Sequence, residues 1–172
     1  MTRVRSPRSA ARHSTRLLVL DVDGVLTDGR LYFGAEGETL KAFHVRDGLG
    51  IKLVQHAGIA VAVVSGRSSH AVTSRCLELG IDYVVQACED KLSAVARIAR
   101  ELKVNMREIA CVVDDTSDLP LVAAVGLAFA VRDAHPDVQR AAQYTTKLAG
   151  GRGAVREVCD SLLRDARSGT RS

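Results

Sequence analysis

Asp21 and Asp23 stand directly behind an apolar run, Leu17-Leu18-Val19-Leu20, in the stretch DVDGVLTDG at residues 21–29. Two carboxylates so close to a buried strand are costly unless something compensates their charge. Polar groups also follow the later apolar runs. Ser65, Gly66 and Arg67 follow Ile59–Val64, and Lys91 follows Asp82–Val85 after a short delay. Asp114, Asp115 and Asp118 follow Ile109–Val113. This inventory suits a divalent cation together with a phosphate. Mg²⁺ takes oxygen ligands, commonly a few carboxylates plus water and a substrate phosphate. Asp21 and Asp114 could supply the carboxylates. A serine hydroxyl, backbone N–H groups and a lysine ammonium hold phosphoryl oxygens. An aspartate can attack phosphorus and form an aspartyl-phosphate. A second carboxylate two residues along can protonate the leaving oxygen and then deprotonate the attacking water.

Each residue alone has a plainer reading. A single Asp after a strand ordinarily caps a helix or sits in a turn. Ser65-Gly66 is a common turn pair, and Lys91 alone reads as a solvated lysine in a first helical turn. Asp114, Asp115 and Asp118 could cap a helix that begins near Leu119. The functional reading draws its weight from the order of these groups and from the sheet edge they would share.

The elements that must position them are short apolar runs alternating with amphipathic stretches. Strands are predicted at Leu17–Leu20, Ile59–Val64, Asp82–Val85, Ile109–Val113 and Leu127–Val131, with a short one at Tyr144–Thr145. Most are apolar throughout and Val-rich, as strands are when both sheet faces are covered. Helices are predicted at Gly50–Ala57, His70–Leu79, Lys91–Leu102, Leu119–Val125 and Ala154–Leu163. Strand–helix alternation implies an α/β fold with a doubly wound, mostly parallel sheet. In such a sheet ligands sit at the carboxyl ends of the strands, where the polar groups above fall. One segment breaks the alternation. Arg30–Phe33 and Thr39–Val45, separated by Gly34-Ala35-Glu36-Gly37, read as an inserted β-hairpin.

The chain has 172 residues, 47% apolar and 26% charged, which suits one domain with a real core. Its net charge of +4 lies in the ends. Residues 1–16 carry five arginines and no acid, and 164–172 carry a net +2, which leaves the body near −3. A nucleic-acid surface needs a basic patch on the fold itself, so that class is not expected. The expected organisation is a disordered basic arm over 1–16, one domain over 17–166 and a flexible tail over 167–172. No secretory signal pattern and no bilayer-spanning run occurs. Four dispersed cysteines show no metal-type spacing, which fits a reducing, cytoplasmic setting.

The order D-x-D-G, S-G, K, D-D-x-x-D resembles the haloacid dehalogenase superfamily of aspartate-nucleophile phosphatases. Its four motifs correspond to Asp21-Val22-Asp23-Gly24-Val25, Val64-Ser65-Gly66-Arg67, Lys91 and Asp114-Asp115-Thr116-Ser117-Asp118. The match runs from about Leu17 to Ala166. Within that superfamily the chain is most similar to the family of 3-deoxy-D-manno-octulosonate (Kdo) 8-phosphate phosphatases. DVDGVLTDG with the hairpin carries that similarity, as do Phe43–Gly50 with its "RDG", Val64–Arg67, and the segment Gly150–Glu157, GGRGAVRE.

The resemblance implies a Rossmann-like fold and an Mg²⁺-dependent phosphatase in lipopolysaccharide precursor synthesis. It implies Asp21 as nucleophile and metal ligand, and Asp23 as acid/base with its carbonyl on the metal. It implies Asp114 as the third ligand, and Ser65, Gly66 and Lys91 as the phosphate site. Asp115 and Asp118 are supporting groups, and Arg67, Arg46 and Asp47 are candidates for the sugar acid. Only about 35 residues separate the first strand from the helix before the second, and the hairpin uses much of them. No cap domain fits there, and the family's remedy implies a homotetramer. Two departures stand out. Val113 and Ala87 occupy places where the family usually has glycine.

Three alternatives remain at this point. A signalling receiver also forms an aspartyl-phosphate, but it lacks the second Asp at plus two. A non-catalytic relative would be expected to have lost chemical positions, and here all are filled. A phosphatase for another acidic sugar, such as a nonulosonate 9-phosphate, shares the same chemistry.

Overall fold

The computed structural model describes residues 15–169. Apart from residues 15 and 16, the expected basic arm lies outside the described residues, as does 170–172 of the tail.

Six strands form one sheet: β1 (Leu17–Leu20), β4 (Ala60–Val64), β5 (Tyr83–Val85), β6 (Ile109–Val113), β7 (Leu127–Ala130) and β8 (Tyr144–Thr145). Every pairing is parallel, in the order β5-β4-β1-β6-β7-β8. With the hairpin set aside, this is the 3-2-1-4-5-6 order of a doubly wound fold, and the winding reverses at β1. Strands β1 and β6 are buried along their whole length, which explains their lack of polar alternation. The core is aliphatic, built on Leu17, Leu18, Leu20, Ile51, Ile109 and Leu121 among its largest fully buried side chains.

The hairpin is present but shorter than predicted. β2 (Tyr32–Gly34) pairs antiparallel with β3 (Gly37–Leu40), and the second arm ends at Leu40 instead of Val45. Helix α1 runs Val45–His56 and so starts five residues before the predicted Gly50. Phe43 and Val45 gave the segment a β-like appearance, and Gly48 and Gly50 weaken a helical reading. Tertiary packing overrides both signals. The His44 ring accepts the Arg46 N–H and caps α1. Gly50 lies against the C-terminal helix α6 (Ala154–Gly169) so tightly that an added Cβ would sit 3.0 Å from the Arg156 side chain and 3.1 Å from Cys159.

Helices α2 (His70–Leu79) and α3 (Lys91–Leu102) have the predicted bounds, and α4 spans Leu119–Ala124. A short α5 (Pro136–Ala141), not predicted, starts on Pro136 with the His135 ring capping it. Helix α6 (Ala154–Gly169) continues three residues past 166, where the sequence reading ends the domain. Among the described residues no helix is long and apolar enough to cross a membrane.

Candidate active site

Strand register brings the polar groups together. Leu20 pairs with Val63 of β4 and with Val112 of β6, so the residues just beyond all three strands share one edge. Those residues are Asp21, Ser65 and Asp114. The Asp21 N–H bonds to the Val112 carbonyl at 3.2 Å, and the Ser65 N–H to that of Val85 at 2.9 Å. Lys91 opens α3 one loop beyond β5 and reaches back into the edge. Its Nζ lies 3.0 Å from Asp21 Oδ1 and 2.7 Å from Asp118 Oδ1.

After Asp21 the chain folds into a tight irregular turn over Val22–Leu26. Gly24 adopts φ +88°, and a Cβ there would sit 1.9 Å from Asp114 Oδ2. Only glycine fits, for backbone and for space. Thr27 is buried beneath the turn. Its hydroxyl donates to the Val22 carbonyl and accepts from the Gly24 and Gly29 N–H groups. From the far end of the chain, Gly151 N–H bonds to the Val25 carbonyl at 2.9 Å. A Cβ on Gly150 would sit 1.7 Å from the Gly24 carbonyl oxygen. The GGRG segment therefore braces the turn that carries Asp21 and Asp23.

Asp21, Asp114 and Asp118 each present a carboxylate oxygen within 4.8 Å of the others. Three carboxylates face one ammonium, so the cluster lacks positive charge. Burial, and then the neighbouring Asp21, push Asp114 up to about 8. Burial and Asp21 push Asp118 up to about 6, against the pull of Lys91. Asp118 Oδ2 is buried with no hydrogen-bond partner among the described residues. Burial works against the Lys91 charge, but Asp21 and Asp118 together outweigh it and raise its pKa. Oxygen donors crowded at a deficit of positive charge are the donor set a hard divalent cation takes, so the residues present fit Mg²⁺.

The other expected residues fall in several places. Ser65 is 2% exposed, and its Oγ accepts the Arg67 N–H at 3.2 Å. Gly66 packs near the Cys88 carbonyl. Asp115 is exposed and caps its own 3₁₀ turn, accepting the Thr116 N–H. The Arg67 Nε lies 3.7 Å from Asp23 Oδ2, which puts Arg67 on the rim of the site. The structure does not bring Arg46 or Asp47 to the carboxylate cluster. Arg46 lines a groove with Leu148, Gly153 and Arg156 that contains none of the clustered aspartates. Asp47 is 1% exposed, and its Oδ1 accepts the Arg156 N–H at 2.8 Å, capping α6. Burial pushes its carboxyl upward, against that bond.

The two departures from glycine differ in consequence. Val113 is a buried strand residue paired with Ala130, and a side chain is at home there. Ala87 adopts φ +52°, the left-handed region that glycine favours. It sits where the Ala87 N–H meets the Arg67 carbonyl and the Cys88 N–H meets that of Ser65.

Sequence reasoning missed Lys41 and Glu38. Lys41 Nζ lies 2.5 Å from Asp23 Oδ1 and 3.2 Å from Glu38 Oε2. Glu38 Oε2 also meets Arg67 Nη2 at 3.1 Å. Nothing in the sequence distinguishes these two from solvated hairpin charges.

A 3-2-1-4-5-6 sheet with an acidic cluster and a lysine at its switch point is the architecture of the haloacid dehalogenase-like hydrolases. The family model of that description matches residues 86–157. The chain is 49% identical over 154 residues to the Kdo 8-phosphate phosphatase KdsC of Escherichia coli K12, covering 90% of this chain and 82% of that one. The crystal structure of the Yersinia pestis Kdo 8-phosphate phosphatase superposes with a TM-score of 0.88 at 43% identity, covering 92% of this chain and 86% of that one. The Moraxella catarrhalis phosphatase, solved in complex with magnesium, phosphate and KDO, gives 0.86 at 36% identity, covering 93% and 95%. The chain belongs to the family of 3-deoxy-D-manno-octulosonate 8-phosphate phosphatases.

Proposed function

We propose that this chain is an Mg²⁺-dependent phosphatase that hydrolyses Kdo 8-phosphate, a step of lipopolysaccharide precursor synthesis. The observation that carries the reading is the 49% identity to a phosphatase of that name across nine-tenths of the chain. The Asp21–Asp114–Asp118–Lys91 cluster supplies the matching chemistry.

In this reading an Asp21 carboxylate oxygen attacks phosphorus in line with the sugar oxygen. Asp23 gives a proton to that oxygen as its bond to phosphorus breaks. Asp23 then takes a proton from water, which attacks the aspartyl-phosphate and frees Asp21. Lys91, the Ser65 hydroxyl and backbone N–H groups near Gly66 hold the phosphoryl oxygens. Asp21, Asp114 and the Asp23 carbonyl would hold Mg²⁺, which when bound supplies positive charge against the phosphoryl group. Asp118 fixes the Lys91 ammonium. Arg67, on the rim, suits a carboxylate with its planar fork.

The same reading makes the protein a cytoplasmic homotetramer. All four cysteines are free, in keeping with a reducing compartment. Leu31, Tyr32, Phe33 and Leu40 are exposed along the hairpin, Phe33 by 65%, and a second copy would cover them.

The test is kcat/KM across a panel of sugar phosphates with Mg²⁺. Kdo 8-phosphate is expected to lead. A preference for simple hexose phosphates would overturn the substrate assignment, and a preference for a nonulosonate 9-phosphate would move it to the other acidic sugar.

A further inference from the structure

The side chain of Lys41 is 1% exposed, although it comes from a hairpin whose apolar residues face outward. An ammonium so thoroughly stripped of water persists only with close ionic partners. It has two, Asp23 Oδ1 at 2.5 Å and Glu38 Oε2 at 3.2 Å. Arg67 completes a ring of alternating charge, with Nη2 3.1 Å from Glu38 and Nε 3.7 Å from Asp23 Oδ2. The two aspartates of the first turn are thus served by different lysines. Lys91 holds Asp21 from inside the sheet edge, and Lys41 holds Asp23 from the hairpin.

This division has a chemical consequence. Asp21 must face phosphorus, whereas an acid/base group must face the leaving oxygen and stay out of the metal cluster. Asp23 sits in an irregular turn at φ −73°, ψ 117° and is not one of the three clustered carboxylates. Its two oxygens are drawn to Lys41 and Arg67 instead. We propose that Lys41 is a positioning residue: its buried ammonium fixes the Asp23 carboxylate in the orientation from which it serves the leaving oxygen. The hairpin then contributes to chemistry as well as to assembly. The proposal rests on the reading of Asp23 as acid/base.

The test separates substrates by leaving group. p-Nitrophenolate departs without a proton, whereas the alcohol of a sugar phosphate needs one. kcat/KM covers the steps through release of that group. With saturating Mg²⁺, Lys41→Met should lower kcat/KM about 100-fold on Kdo 8-phosphate, the scale of general acid catalysis, and less than about 10-fold on p-nitrophenyl phosphate. Asp23→Asn should discriminate in the same sense. The double variant should be no worse than Asp23→Asn alone, because Lys41 acts through that carboxylate. Lys41→Gln, shorter and still polar, is run alongside as a second replacement. Equal loss on both substrates in both Lys41 variants overturns the proposal, as does full additivity with Asp23→Asn. If Asp23→Asn itself fails to discriminate, the acid/base reading of Asp23 falls first.

Discussion

Loading Mg²⁺ into the metal-free protein should release about one proton at pH 7. With Asp114 pushed up to about 8, roughly nine-tenths of it is protonated at pH 7; with Asp118 at about 6, roughly one-tenth is. Burial raises Asp114 most, and the negative charge of Asp21 beside it raises it further. A divalent cation at the cluster favours the ionised carboxylates and expels those protons. The same arithmetic gives roughly 1.5 protons at pH 6 and roughly 0.1 at pH 9. Apparent Mg²⁺ affinity therefore rises with pH and flattens above about 8.

Stability of the metal-free protein moves the other way. Both carboxyls lie above their unfolded value of 3.8, so their contribution is full below that pH and is lost as pH rises through about 6 and then about 8. Metal-free protein should melt lower at pH 9 than at pH 6, and saturating Mg²⁺ should remove most of that difference, because the metal-bound carboxylates are ionised at both pH values. The assay is isothermal titration calorimetry at pH 7 in two buffers of different ionisation enthalpy, whose heats differ by the protons transferred. Identical heats, meaning no proton release, would refute the crowded-carboxylate account of the cluster.

Ala87→Gly should stabilise the protein. A non-glycine residue at φ +52° costs about 1–2 kcal/mol, and the extra unfolded freedom of glycine returns about 0.5–1 of it. A melting temperature raised by roughly 2–4 °C is expected for a chain of this size, and a lowered one would contradict the strain. Gly24→Ala should abolish the calorimetric Mg²⁺ signal, because its Cβ would displace the Asp114 carboxylate; normal binding would show that the turn can give way. Asp47→Ala should cost about 1–2 kcal/mol in urea unfolding by removing the α6 cap, with kcat/KM changed less than about threefold. A large kcat/KM loss at unchanged stability would return Asp47 to the substrate. Phe33→Asp should split the proposed tetramer in analytical ultracentrifugation, and an unchanged sedimentation coefficient would exclude the hairpin as its interface.

The sheet was legible because its central strands are buried on both faces, and continuous Val- and Leu-rich runs such as Leu17–Leu20 and Ile109–Val113 have few other homes. Asp21, Asp114, Asp118 and Lys91 could be grouped because strand ends in a parallel sheet share one edge. What stayed hidden depends on contacts between distant segments. The start of α1 turns on helix packing against Arg156 and Cys159 more than a hundred residues away, not on the local pattern. Asp47 carries no mark of a cap, because the helix it caps is not its own. Lys41 and Glu38 gain meaning only when the hairpin folds back over Asp23. Ala87 stood out as a departure from glycine, but its left-handed backbone became visible only in three dimensions.

Asp21 is proposed to carry phosphoryl transfer on an acidic sugar phosphate. The most direct measurement is phosphate release from Kdo 8-phosphate with Mg²⁺ by the wild type and by Asp21→Asn, with the acid-quenched wild-type enzyme examined by peptide mass spectrometry. On that proposal, Mg²⁺-dependent turnover, a phosphoryl adduct on the peptide bearing Asp21, and a loss of at least about 10³-fold in Asp21→Asn are expected. Turnover that survives in Asp21→Asn, or no phosphate release from Kdo 8-phosphate by the wild type, would contradict it.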